Sequence, residues 1–160
     1  MPDSAGGKKR AFVTQHEANL GYIYSTSSFM KSAFSFSYVT GARLNRHFYV
    51  GAGLTVDYYS GPGEVAIPLF CDLRGYLLKR AASPFVDCRV GYALLYGKMY
   101  VSPGVGYCFP IGKEVRLQVQ LGYTLQRYKE ETIGGDGWTK WKVTSGFNHE
   151  GLHLRVGVEI

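Results

Sequence analysis

The feature that most constrains this chain is an alternation of apolar residues with polar or small ones, repeated in eight separate segments. A period of two places successive side chains on opposite sides of an extended strand, so each segment reads as a strand with two chemically different faces. The segments run over Phe12–Tyr24, Ala33–Leu44, His47–Tyr59, Val65–Leu78, Phe85–Leu94, Met99–Phe109, Val115–Arg127 and Leu152–Ile160. In the third, Phe48, Val50, Ala52, Leu54, Val56 and Tyr58 alternate with Tyr49, Gly51, Gly53, Thr55 and Asp57. In the seventh, Val115, Leu117, Val119, Leu121, Tyr123 and Leu125 alternate with Arg116, Gln118, Gln120, Gly122, Thr124 and Gln126. No stretch approaches the roughly 18 apolar residues of a membrane-spanning helix, so a membrane location would have to be reached with strands.

The connections alternate as well. Those after the second, fourth and sixth segments are short (Asn45-Arg46, Lys79 to Pro84, Pro110 to Glu114), whereas the last, Tyr128 to Glu150, is long. Tight turns on one side and extended loops on the other are the plan of outer-membrane barrels. No linker interrupts the pattern. The expectation is an all-β, eight-stranded antiparallel up-and-down transmembrane β-barrel over residues 12–160, preceded by a flexible N-terminal segment, residues 1–11. Residues 1–11 place Lys8, Lys9 and Arg10 before no apolar run, so no signal peptide is expected in the chain as given.

Alternation alone is also compatible with a soluble barrel that turns its apolar face inward onto a ligand. Volume separates the two readings. Eight strands enclose an interior that side chains just fill. The apolar set, rich in Phe, Tyr and Leu, would overfill it, while the opposite set of Gly, Ser, Ala and charges would fit. Aromatic positions give a second argument, because a membrane barrel carries rings at both interfaces. Tyr22, Tyr24, Phe34, Tyr58, Tyr92, Tyr100, Tyr123 and Tyr128 fall toward the loop side, and Phe12, Phe48, Phe85, Tyr107 and Phe109 toward the turn side. The lumen is then expected to hold a charge network of Arg43, Asp57, Asp72, Arg74, Asp87, Arg89, Arg116, Arg155 and Glu159, with Gln118, Gln120 and His153. Buried charges must pair, so this set predicts a plug of ion pairs. Pro103 is expected to mark a bulge in the sixth strand.

Few motifs suggest chemistry. His149-Glu150-Gly151-Leu152-His153 satisfies H-E-x-x-H, but that motif needs both imidazoles on adjacent helix turns. Here it leads into a strand, where positions four apart lie about 13 Å from each other, too far to share a zinc ion. Ser145, His149 and Glu150 can be drawn as a hydrolase-like set acting on lipid, with nothing in the sequence to fix their geometry. Cys71, Cys88 and Cys108 show neither CxxC nor zinc-like spacing and read as small inert side chains. The net charge of +6 is spread along the chain, which argues against nucleic acid as a partner. Trp138, Lys140, Trp141 and Lys142 combine rings and positive charge beside Gly134, Gly135 and Gly137, and form a candidate contact surface on the last loop.

The phrases FYVGAGLTVDYY, IPLFCDLRGYLL, SPFVDCRVGY, YVSPGVGY and LGYTLQR, with the closing GLHLRVGVEI, resemble the small outer-membrane barrels of the OmpA/OmpX type, particularly those of Bacteroidota-like bacteria. The resemblance covers Phe12 to Ile160. It departs from the pattern in ending on Ile160, where the strand signal usually closes on an aromatic residue. It implies an integral outer-membrane protein with a structural, adhesive or accessory, partner-binding role and no enzyme activity or cofactor. Its implied partners are outer-membrane lipid and lipopolysaccharide, with another envelope protein as a further candidate. The alternatives are a narrow pore or conduit for small or hydrophobic solutes, a soluble ligand-binding barrel, and a lipid-modifying enzyme.

Overall fold

In the computed structural model, each alternating segment pairs with the next in an antiparallel ladder, and the last strand returns to the first. Residues 13–26, 32–60, 65–94, 98–135, 137 and 141–160 are described, with backbone alone for 98, 128–133 and 141–149. The strands are β1 (Val13–Ser25), β2 (Ala33–Arg43), β3 (Phe48–Tyr59), β4 (Val65–Ala66 continued by Pro68–Tyr76), β5 (Ser83–Ala93), β6 (Lys98–Pro110), β7 (Arg116–Gly134) and β8 (Trp141–Glu159). The β1–β8 register runs from Glu17↔Glu159 to Ser25↔Gly151 and closes an eight-stranded barrel. His16 and Ile160 seal its lower rim by exchanging backbone hydrogen bonds of 2.9 and 2.8 Å. Closure leaves the barrel no edge strand.

Three tight connections share one end. Asn45 Oδ1 caps the β2–β3 turn by accepting from the amides of His47 (2.8 Å) and Phe48 (2.9 Å). Ser83 Oγ accepts from Leu78 N (3.0 Å) in the β4–β5 turn, and Val115 O accepts from Ile111 N (3.0 Å) in the β6–β7 turn. The 13 residues of β1 rise about 43 Å along the strand at ~3.3 Å each. Tilted by about 40°, that is a height of roughly 33 Å, enough to cross the ~25 Å apolar band of an outer membrane.

Two details differ from the sequence reading. Pro103 marks no bulge, because β6 keeps one register with β5 throughout (Cys88↔Pro103) and the same register with β7 on either side of it (Val101↔Leu125, Gly104↔Gly122). A proline removes one amide donor without adding a residue, so the ladder loses a hydrogen bond and keeps its alignment. Much of the stretch from Tyr128 to Glu150 is strand rather than loop: β7 and β8 stay paired out to Gly134↔Trp141, each 19 residues long. Among the described residues, the last pairings of this hairpin with its neighbours are Tyr100↔Gln126 and Ser25↔Gly151, so the rest projects beyond the rim as a two-stranded ribbon.

The faces of the strands are inverted relative to a water-soluble protein. Leu20, Phe34, Leu69, Leu121 and Leu154 point outward and are at least half exposed, whereas Glu17, Asp72, Arg74, Arg89 and Arg155 point inward and are at most 2% exposed. Rings share the interior with them. Tyr49, Phe70, Tyr76, Phe85 and Tyr100 lie buried in one cluster. Phe85 and Tyr100 therefore belong to the lumen and not to the interfacial girdles, where Phe48, Tyr58, Tyr92 and Phe109 are exposed. Glycines on neighbouring strands make room for the rings: a Cβ at Gly53 would lie 2.7 Å from Phe70 Cζ, and one at Gly41 would lie 2.7 Å from the Tyr49 hydroxyl. This complementarity fills an interior too narrow for a ring to face anything larger.

Candidate functional site

The lumen is the densest polar feature of the barrel, and two side chains organise its lower half. Glu17 enters from β1, and Arg74 crosses from β4 on the far side. Arg74 Nη1 donates to Glu17 Oε2 at 2.8 Å and to Gln118 Oε1 at 2.9 Å, and its Nη2 donates to Asp72 Oδ2 at 2.8 Å. Arg89 on β5 reaches the same two acids, 3.2 Å from Glu17 and 3.5 Å from Asp72, and lies 3.8 Å from Asp87. Asn19 donates to Glu17 at 2.6 Å and accepts from Gln118 at 2.9 Å. The network thus ties β1, β4, β5 and β7 together across the middle of the barrel. Rings cover the guanidinium faces, with Phe85 at 4.8 Å and Tyr49 at 5.2 Å from Arg74, and Phe70 at 5.0 Å from Arg89.

Above and below lie two smaller sets. Toward the loop side, Arg155 Nη2 donates to the Tyr100 hydroxyl (3.0 Å) and to Ser102 Oγ (3.2 Å). His153 Nδ1 lies 3.0 Å from Thr124 Oγ1, and Asp57 sits opposite Ser35 across the β2–β3 ladder. Toward the turns, Glu159 pairs with Arg116 and accepts from Gln15 Nε2 at 2.6 Å.

All nine residues expected in the charge network face the interior, but they do not form one network. Asp72, Arg74, Asp87 and Arg89 meet at the centre, with Arg74 also 3.9 Å from Glu159. Arg155 and Asp57 belong to the upper set. Arg43 stands apart at the turn-side mouth, stacked 4.3 Å from the Tyr76 ring and in no ion pair among the described residues. The sequence reading missed Glu17, the acid on which both central arginines converge. Its parity with Gln15 and Asn19 carried the signal. With Glu17 included, the inward acids among the described residues (Glu17, Asp57, Asp72, Asp87, Glu159) equal in number the inward arginines (Arg43, Arg74, Arg89, Arg116, Arg155). Equal numbers of opposite charges are what an interior of low dielectric requires.

As chemistry, this site is closed. Arg89 and Asp72 in the central network, and Ser102 and His153 in the set above it, are fully buried, so packed side chains block the lumen. A Ser102, Thr124 and His153 constellation exists there, sealed from any substrate that approaches from outside. Residues 149–153 are paired in extended register with Gln126 to Gly122, which is the wrong backbone for an H-E-x-x-H zinc site. Among the described residues no group of three or more His, Cys, Asp or Glu could hold a metal, and the three cysteines form no disulfide. In the candidate loop surface, Trp138 and Lys140 lie outside the described residues, while the backbones of Trp141 and Lys142 open β8 at the far end of the projecting ribbon. The side chains of Ser145 and His149 also lie outside the described residues.

No protein-family model and no curated protein matches the chain. Among solved structures it is similar to Neisserial surface protein A (NspA), with a TM-score of 0.62 at 16% identity over 93% of this chain and 96% of that one. It is also similar to a de novo designed transmembrane β-barrel, with a TM-score of 0.52 at 9% identity over 91% of this chain and 92% of that one. At these identities the likeness speaks for the fold, and the fold is that of the small eight-stranded transmembrane barrels.

Proposed function

We propose that this chain is an integral barrel of the bacterial outer membrane, without enzyme activity, whose lumen is a structural plug. On this reading its structural, adhesive or accessory role is exercised on the loop side, by the ribbon that β7 and β8 extend past the rim. The observation that carries the proposal is the inverted polarity of the wall. A belt of Leu, Val, Phe and Tyr on the outside, around a charge-balanced interior, is stable where the surroundings are hydrocarbon and costly in water. One solved barrel that it resembles is named a surface protein, in keeping with a role at the cell exterior. A closed lumen favours the structural reading over a conduit, and the sealing of Ser102 and His153 favours it over catalysis.

Heat-modifiability tests the proposal. Refolded in nonionic detergent, the protein should migrate faster unboiled than boiled, with β-type circular dichroism, and it should aggregate when detergent is removed. A monodisperse protein in plain buffer with no mobility shift would refute the membrane reading and favour a soluble barrel.

A further inference from the structure

The turn-side mouth of the barrel holds a cavity of about 740 Å³. Four of its lining side chains are cationic, Arg43, Arg46, Lys79 and Arg80, and none is acidic among the described residues. The two turns that frame it, residues 44–47 and 77–82, carry no Asp or Glu. Glu159, the nearest inward acid of the lower set, is already engaged by Arg116 and Gln15. Arg43 is the least exposed of the four. Its ring stacking on Tyr76 fixes the guanidinium plane, and no carboxylate pairs with it among the described residues. Arg74, Arg89 and Arg116 each have a carboxylate. A cation held rigid beside three more, with no carboxylate among them, favours an anion at the mouth, and guanidinium and ammonium groups together suit the oxygens of a phosphate.

The geometry points to a binding site for a phosphate-bearing organic anion at this mouth, with Arg43 as the inner, fixed cation and Arg46, Lys79 and Arg80 as the outer clamp. The size of the cavity suits a small organic molecule rather than a bare ion. Leu44 and Leu78, which also line it, are about half exposed at the lower edge of the outer apolar belt. That arrangement would let a phospholipid place its headgroup in the mouth while its chains run up the wall. A free organophosphate would use the same cations. The lipid source rests on the membrane reading above, whereas the phosphate chemistry does not.

The test uses the full chain refolded in dodecyl maltoside, which carries no phosphate, with heat-modifiability recorded for every variant. Calorimetric titration is run with glycerol 3-phosphate in one arm and with dimyristoyl phosphatidylglycerol in mixed micelles in the other. Saturable binding in either arm is expected to weaken by about tenfold or more in Arg43→Gln and in the triple variant Arg46→Gln/Lys79→Gln/Arg80→Gln, as loss of charge-assisted bonds implies. Arg43→Lys, which keeps the charge and loses the fork, should fall between wild type and Arg43→Gln. Binding of the lipid alone assigns the site to a headgroup, and binding of glycerol 3-phosphate alone assigns it to a solute. No saturable binding in either arm, or equal binding by variants that keep their heat shift, overturns the site. Loss of the heat shift in wild type would instead strike the membrane reading.

Discussion

Replacing Arg74 by Met keeps the aliphatic stem against Tyr49 and Phe85 but removes the charge that spans the lumen. Two carboxylates then lose their closest cation at once, Glu17 and Asp72, each 2.8 Å from Arg74 and each at most 2% exposed. Removing one partner of a buried pair costs about 3–5 kcal/mol, because the remaining charge stays buried without compensation. Arg89, 3.2 and 3.5 Å from the same acids, offsets part of that, so the lower end of the range, about 3 kcal/mol, is expected. Urea unfolding in lipid vesicles, followed by circular dichroism, reads this as a lower midpoint at unchanged slope. Glu17→Gln added to Arg74→Met removes one orphaned charge and should recover about 1–3 kcal/mol relative to additivity. A loss below about 1 kcal/mol for Arg74→Met, or strictly additive single variants, would show that the lumen is wet enough to screen these charges and would refute the plug argument.

In planar bilayers the wild-type protein should give no discrete conductance steps, because Arg89, Asp72, Ser102 and His153 fill the lumen; regular steps at neutral pH would contradict the packing. Gly53→Ala should cost about 1–3 kcal/mol, since its methyl would sit 2.7 Å from Phe70 Cζ. Adding Phe70→Leu should return part of the loss, measured by the same urea midpoints, and a neutral Gly53→Ala would argue against ring-over-glycine packing.

The barrel was legible because each strand separates two environments, and that separation imprints a period of two. The same parity places Glu17 with Gln15 and Asn19, Phe70 with Asp72 and Arg74, and Tyr100 with Ser102. These residues were misassigned or passed over because ring identity and the outward set outweighed parity. The rings Tyr49, Phe70 and Phe85 are inside for a reason that one strand cannot reveal: they fill the space left by Gly41, Gly53 and Gly106 on neighbouring strands. The extension of β7 and β8 was hidden for the converse reason. Past Arg127 the chain reads Lys129, Glu130, Glu131, and beyond the rim a ribbon no longer divides lumen from lipid, so no alternation is imposed. The isolation of Arg43 from the ion-pair network depends on which side chains cross the lumen, which follows from closure and stagger rather than from any local pattern.

The most direct test of the inverted wall is the depth of a single outward residue. Leu121 is 54% exposed and lies midway along the barrel portion of β7, between Val105 and Leu154 on the flanking strands. In a Trp138→Phe/Trp141→Phe background, which removes both native tryptophans, Leu121→Trp becomes the sole indole. Reconstituted in vesicles of phosphatidylcholine brominated along the acyl chains, it should be blue-shifted and strongly quenched by bromine, and it should resist quenching by aqueous iodide. Emission near that of water-exposed tryptophan, quenched by iodide and untouched by bromolipid, would place the apolar belt in water and contradict the account.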